Sequence, residues 1–413
     1  MLALSACGST SDATEGDAQA GESAGGLSAE ATKDEFIAAF EDVDPVELTV
    51  QLATGPDNPY SVAAVAYTDA VTEWSGGKLT FDVLYSGSRA PMPEMNSALA
   101  EGLVDMGQHM PNIEADAFPV ADYTSQLMFL QEGSPVTGGL QLLGAWTEFA
   151  VTHEALQNEL RNQGIQPLLP MTSSGGTGLV CKGELSTLED LKSAQVRTSS
   201  SSVASEVEAL GAIPVSIPAV EQYEAMQRGA VDCIASSLGG AAAYGLHEVG
   251  DSWTLDQRSS FAASPVAWGM SAARWDSLPI VAQQLLWDRL DVFLDEFLTG
   301  NVFGASAAAL ADSEEAGLTV VPWGDDAAEA LAQFHAEKLE ELPGQAPQGV
   351  DGAATVETAV ELHEKWLANA KELGYGEELP WGEFTAWYAA GDFDFGPFVD
   401  AVVEEVLVPN RPA

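Results

Sequence analysis

The chain has 413 residues, 46% of them hydrophobic, which is enough apolar material for two or three domains of roughly 150 residues. Its 15 Lys plus Arg stand against 63 Asp plus Glu, a net charge of −48, and a field of that sign repels nucleic acid and anionic membrane surfaces. The acids are spread along the whole chain, as on a solvated surface, and no stretch approaches the about 18 consecutive apolar residues of a membrane-spanning helix.

In chain order, the first feature is LSAC, residues 4–7, which resembles a bacterial lipobox. In such a motif the cysteine, here Cys7, is lipidated and becomes the first mature residue. The Gly-, Ser-, Ala- and acid-rich sequence after it has almost no large apolar residues and cannot bury a core, so residues 1–45 are expected to be lipobox and disordered tether. Only Met-Leu-Ala precedes the motif, and the basic and apolar parts of an export signal are expected upstream. Export places Cys181 and Cys233 in an oxidising compartment, where they either form a disulfide or remain two buried thiols.

Val46, Leu48, Val50 and Leu52 alternate with polar residues, as in a strand with one buried face. A helix is expected over about 60–74, a turn at Gly-Gly-Lys, and a second strand in LTFDVLYSG. PEMNSALAEGLVDMG reads as a helix with Met95, Ala98 and Leu99 on one face and Gly102 at its C-terminal end. Helices and short strands keep alternating to residue 240, the pattern of an α/β protein. ALAEGLVDMG (98–107) and AMQRGAVDCI (225–234) share Ala-x-x-x-Gly-x-Val-Asp, which suggests two lobes on similar plans. Leu285, Leu286, Leu290, Phe293, Leu294 and Phe297 form one helical stripe within 278–300. Residues 341–354 are Pro/Gly-rich, as in a linker, and a Trp-rich helical tail runs to about 407.

The five histidines, at 109, 153, 247, 335 and 363, do not form HExxH, no cysteine pair has zinc-site spacing, and no G-x-S-x-G elbow follows an expected strand, since the match GESAG at 21–25 lies in the small-residue N-terminal stretch. SSGGTGLVCKGELS lacks the residue order of a phosphate-cradling loop. No catalytic residue, cofactor or metal is therefore expected.

LKSAQVRTSSSS, residues 191–202, carries one of the few cations at a strand end, directly before the start of a helix. The first N–H groups of a helix favour an anion, serines cap or donate there, and the planar fork of Arg197 suits a carboxylate. In α/β sheets ligands bind outside the C-terminal ends of strands.

TLEDLKSAQVRTSSS followed by EALGAIPVSIPAVEQYEAMQRGAVDCIASS resembles the dicarboxylate-binding type of solute receptor from tripartite ATP-independent periplasmic (TRAP) transporters. The shared pieces are a helix ending in Asp-Leu-Lys, Gln-Val-Arg-Thr (195–198), Leu-Gly-Ala-x-Pro-Val (210–215), Tyr-x-Ala-x-Gln-x-Gly (223–229) and Val-Asp (231–232). GGKLTFDVLYSG, GLVDMG and ARWDSLP (273–279) add to the match, which runs over about 46–345. The resemblance implies an α/β, two-lobed periplasmic-binding-protein-like fold with a hinge and a long lobe-spanning helix, for which 278–300 is the expected segment. The lobes are expected as 46–172 (lobe I), 173–261 (lobe II), 262–300 (return to lobe I and spanning helix) and 301–345 (completion of lobe II), with a helical extension over 346–413.

It further implies a non-enzymatic extracytoplasmic receptor, lipid-anchored or periplasmic, that closes over a small organic acid and delivers it to membrane permease subunits. A receptor of an ABC importer is the alternative. Arg197 matches the arginine that pairs with the ligand carboxylate, with Ser199 beside it. Ser236 stands where many members carry a ligand-touching Asn. No cation stands on the crossing strand where some members have a second Arg, except Lys182, so two clamped acid groups are not expected. Trp268 is a stacking candidate, Gln108 and Asn112 are hydrogen-bonding candidates, and Tyr223 reads as core.

Overall fold

The structure, a computed structural model, describes residues 26–413 apart from Asp57, Ser174, Glu377 and Glu378, and the lipobox Cys7 lies outside the described residues. In chain order the strands are β1 (Val46–Gln51), β2 (Leu79–Leu84), β3 (Met106–His109), β4 (Ile165–Thr172), β5 (Thr177–Cys181), β6 (Gln195–Thr198), β7 (Ile213–Ser216), β8 (Cys233–Ser237), β9 (Ser252–Thr254), β10 (Val266–Ser271) and β11 (Thr319–Val321). They form two sheets, ordered β2-β1-β3-β10-β4 and β11-β9-β5-β8-β6-β7. Each sheet is the centre of one lobe.

The alternation in β1 gives it one buried face: Leu48 and Val50 are fully buried while Glu47 is exposed. β1 pairs in parallel with β2 and β3, and β6 in parallel with β7 and β8. The repeated Gly-x-Val-Asp does the same work in both lobes. Gly102 and Gly229 take φ of +70° and +71°, the left-handed conformation that ends a helix without a Cβ clash. The following Asp105 and Asp232 accept the free N–H of a neighbouring strand, Thr49 at 2.8 Å and Gln195 at 2.7 Å.

Four connections join the lobes. β4 passes to β5 through residues 173–176, β9 passes to β10 through 255–265, a helical run crosses between Leu290 and Ala316, and residues 342–351 return from the lobe II helix Asp325–Glu341 to Gly352–Ala370 on lobe I. That run begins with Leu290–Glu296 packed on the lobe I helix Pro59–Trp74 and ends with Ala305–Ala316 packed on the lobe II helix Leu238–Ala243. A π-helical turn, Phe297–Gly304, lies between them.

The spanning element therefore differs from the expected 278–300. The helix Ile280–Asp288 stops at Arg289, whose guanidinium lies 3.7 Å from the Trp74 ring centroid, and the true span runs on through Gly300 and Gly304. These glycines are not stops. A Cβ at Gly304 would lie 2.9 Å from the Tyr388 hydroxyl and 3.0 Å from the Thr299 carbonyl oxygen.

The tether expected over 1–45 also ends earlier. Lys33–Ala39 is a helix with a Thr32/Glu35 capping box, and Phe36 and Phe40 are both buried in the core. A capped helix of about two turns carries too few apolar positions to stand out against an acidic, small-residue background.

The C-terminal residues pack on lobe I and on the spanning run. Gly352–Ala370 lies along Thr137–Thr152, where a Cβ at Gly144 would sit 2.5 Å from the Trp366 ring. Arg411 pairs with Asp288 through two bonds of 2.7 and 2.8 Å. In the second lobe, Cys181 and Cys233 stand directly opposite each other on antiparallel β5 and β8, Cα–Cα 4.1 Å, and are disulfide-bonded. No helix among the described residues is long and apolar enough to cross a membrane.

Candidate functional site

The C-terminal edges of the parallel strands in the two sheets face each other across the connections. In lobe I this edge carries the residues after β1 and β2, the end of β3, and the start of β10, where Ala267 pairs with His109. In lobe II it carries the ends of β6, β7 and β8 together with the start of β5, where Thr177 pairs with Ser237. One contact fixes the opposition. Tyr60, at the start of the helix after β1, puts its hydroxyl 2.5 Å from where a Cβ on Gly239 would lie, in the helix after β8. The space between these edges is the candidate interlobe groove.

Arg197 stands on the lobe II side of that groove, next to last in β6, beside Val215 of β7 and Ile234 of β8. Its Nε donates to the Ile217 carbonyl oxygen at 3.1 Å, and this is the side chain's one hydrogen bond among the described residues. It is only 8% exposed, the single buried Lys or Arg among the described residues, and it forms no ion pair with any described carboxylate. Burial pulls its pKa down from the ordinary arginine value, and the nearby Tyr244 opposes that shift. The group remains a cation, so a buried positive charge without an ion-pair partner among the described residues stands at this end of β6.

The serine run following Arg197 divides its work. Ser199 Oγ meets Ser264 Oγ at 3.1 Å, tying the end of β6 to the β9–β10 connection. Ser200 caps the helix Ser201–Ala209 by accepting from Val203 N at 3.3 Å, which leaves the first N–H groups of that helix unspent. Ser236 lies on β8 opposite Gly178 and donates to the Ser237 carbonyl oxygen at 3.0 Å.

In lobe I, Gln108 is buried next to the end of β3, and its side chain makes no hydrogen bond with another described residue. The Oδ1 of Asn112 is buried without a partner. Trp268 departs from the expected stacking position. It is 1% exposed, packed edge-on to Tyr67 at 6.0 Å and tilted on Phe293 at 5.0 Å, so its ring belongs to the helix-covered face of the sheet. Alternation alone does not say which face of a strand a helix covers. Lys182 follows the C-terminal end of β5, at the edge of the sheet away from the groove.

Tyr60 and Gly239 meet between the lobes and were not singled out by sequence patterns, because their contact joins segments about 180 residues apart. A recess at the connections is lined by residues including Glu132, Gly176, Ser259, Asp256, Trp323 and Trp381, with no Lys or Arg among its described lining residues. No group of acidic, His or Cys side chains among the described residues is placed to hold a metal ion.

Residues 51–342 match the family described as bacterial extracellular solute-binding protein, family 7 (DctP). No curated protein matches the chain. Among solved structures, a TRAP solute-binding protein from Rhodoferax ferrireducens, in complex with copurified benzoate, is similar at 20% identity and a TM-score of 0.67, over 79% of this chain and 99% of that one. A marine metagenome TRAP solute-binding protein from an unidentified microbe, in complex with 3-hydroxybenzoate, is similar at 18% identity and a TM-score of 0.66, over 78% and 99%. A third, from Bordetella pertussis, an extracytoplasmic solute receptor binding pyroglutamic acid, is similar at 17% identity and a TM-score of 0.63, over 77% and 99%.

Proposed function

This chain belongs to the bacterial extracellular solute-binding proteins of family 7, the receptors of TRAP transporters, and from that premise we propose that it captures a small organic acid between its lobes with Arg197 as the carboxylate anchor. The observation that carries the proposal is the buried, unpaired guanidinium at the groove-facing end of β6. A desolvated cation without a counterion is costly, and a carboxylate supplies both charge and two acceptors in the geometry the guanidinium fork requires.

Ser199, Ser236, Gln108 and the unspent N–H groups at the start of Ser201–Ala209 are the proposed hydrogen-bonding partners for the rest of the ligand. The three structurally similar receptors bind benzoate, 3-hydroxybenzoate and pyroglutamic acid, which supports an organic acid as the ligand class. Closure by rotation about the interlobe connections buries the acid, and the closed receptor hands it to membrane permease subunits. Family membership favours a TRAP permease over an ATP-driven importer.

A lipid anchor at Cys7 completes the proposal and rests on LSAC and the acidic, small-residue sequence after it. The mass of the mature N-terminus from membrane fractions tests the anchor. A thermal-shift screen against organic acids, neutral sugars and amines, at low and high salt, tests the ligand class. Stabilisation by acids alone is expected, and stabilisation by neutral or cationic solutes alone would overturn it.

A further inference from the structure

The C-terminal residues reach the interlobe connections and hold two of them. The Leu379 carbonyl oxygen accepts from Gln257 Nε2, in the β9–β10 connection, at 2.7 Å. Two residues on, Trp381 Nε1 donates to the Gly133 carbonyl oxygen of lobe I at 2.9 Å. Gly133 itself presses on the same connection, since a Cβ there would fall 2.2 Å from the Asp256 carbonyl oxygen. The Asp256 carboxylate accepts from Trp323 N at 3.0 Å, which ties the start of the connection to lobe II. Further along, the Tyr388 hydroxyl donates to the Thr299 carbonyl oxygen at 3.3 Å and Phe395 stacks on Phe303 at 4.7 Å, both in the π-helical turn of the spanning run. Residues 379–395 are thus a strap across the hinge, outside the family-matched residues 51–342.

The recess at the connections has Trp381 in its wall. Thr254 and Trp323 line it from lobe II, and Glu132, Gly133 and Gly138 line it from lobe I. In the lobe II sheet these residues belong to the β5, β9 and β11 side, while Arg197 stands among β8, β6 and β7. In lobe I the recess lies against the start of the helix Thr137–Thr152, which packs on the outermost strand β4. The recess and the groove therefore occupy opposite ends of the facing edges, with the connections between them. Gln131 Oε1 and Ser259 Oγ line the recess and are buried without a partner among the described residues, so it is not packed shut.

Rotation about the connections that narrows the groove at one end widens the recess at the other. A bulky side chain standing in the recess resists its collapse, and so resists opening of the groove. We propose that Trp381 is a wedge behind the hinge, held in place by the strap, that favours the closed receptor and so raises affinity for the acid in the groove. This rests on the groove being the ligand site. The wedge touches no ligand, and it acts only by changing the fraction of receptor that is closed.

The test combines calorimetry, stopped-flow release and small-angle scattering of the full chain, for wild type, Trp381→Ala, Trp381→Phe and Gln257→Ala, with benzoate and pyroglutamic acid as probes. Trp381→Ala is expected to bind the acid about fivefold or more weakly, through faster release, and to be wider than wild type without ligand. Trp381→Phe should fall between the two. A cooperatively folded Trp381→Ala with wild-type affinity and shape overturns the wedge. If that variant does not fold, Gln257→Ala decides, because it frees the strap from the connection and leaves Trp381 intact: weaker binding and a wider molecule support the wedge, and wild-type behaviour overturns it. If neither acid binds wild type, the ligand reading fails for those acids, and scattering alone still decides the wedge: a wider Trp381→Ala supports it, and a profile superimposing on wild type overturns it.

Discussion

The Tyr60 hydroxyl occupies the space where a side chain on Gly239 would begin, so the two lobes touch through a residue with no side chain. A Cβ there would lie 2.5 Å from Tyr60 Oη and 2.9 Å from Ala305 Cβ. Gly239→Ala should hold the lobes apart at Tyr60 and also press on Ala305 within lobe II, so the melting temperature is measured alongside. We expect ligand affinity to fall by roughly fivefold or more, as the closed state becomes a smaller fraction of the receptor. Small-angle scattering should report a wider unliganded molecule. Unchanged affinity and shape would mean the contact does not limit closure.

The Cys181–Cys233 bond joins positions 52 residues apart inside the second sheet. Loop-closure entropy for that separation corresponds to about 4 kcal/mol of stability, with the mechanism model-dependent. The double substitution to Ala should lower the melting temperature of the oxidised protein by several degrees, and reductant should produce a similar drop in wild type alone. A reductant-insensitive melt would argue against the bond.

His363 is buried, with Nδ1 2.7 Å from the Ala359 carbonyl oxygen and Nε2 without a partner, and burial lowers its pKa to about 4. The unfolded chain, with an ordinary histidine pKa of about 6.5, takes up the proton first as pH falls. Stability is therefore full above about pH 6.5 and declines toward pH 4, by up to about 3 kcal/mol for this group. His109, lowered to about 3 by burial, acts in the same direction. Melting curves from pH 7.5 to 5 should show a shallower decline for His363→Gln than for wild type. Parallel slopes would mean His363 does not contribute.

A net charge of −48 repels an anionic ligand at long range. The screening length shrinks from ~10 Å at 0.1 M salt to ~3 Å at 1 M, so stopped-flow association should speed up over that range. A flat or falling rate would indicate a neutral ligand.

Much of the fold is written in local pattern. The alternation of Val46, Leu48 and Val50 marks β1, and Gly102 and Gly229 mark helix ends because only their left-handed backbone fits there. Arg197 stood out because a cation before a serine-rich helix start is unusual in so acidic a chain. What remained hidden depends on tertiary packing. Gly300 and Gly304 look like stops in sequence, yet they continue the spanning run, and at Gly304 the Tyr388 hydroxyl occupies the space of a side chain. Trp268 looked available until the sheet order placed it under Tyr67 and Phe293. Tyr60 and Gly239 become partners only when the lobes meet.

The most direct measurement is calorimetry of wild type and Arg197→Gln with whichever acid gives the largest thermal shift. Removing one partner of a desolvated ion pair costs ~3–5 kcal/mol, so affinity should drop by about a hundredfold or more while the melting temperature of the unliganded protein holds or rises. Full affinity in Arg197→Gln would contradict the guanidinium as the anchor of the bound acid.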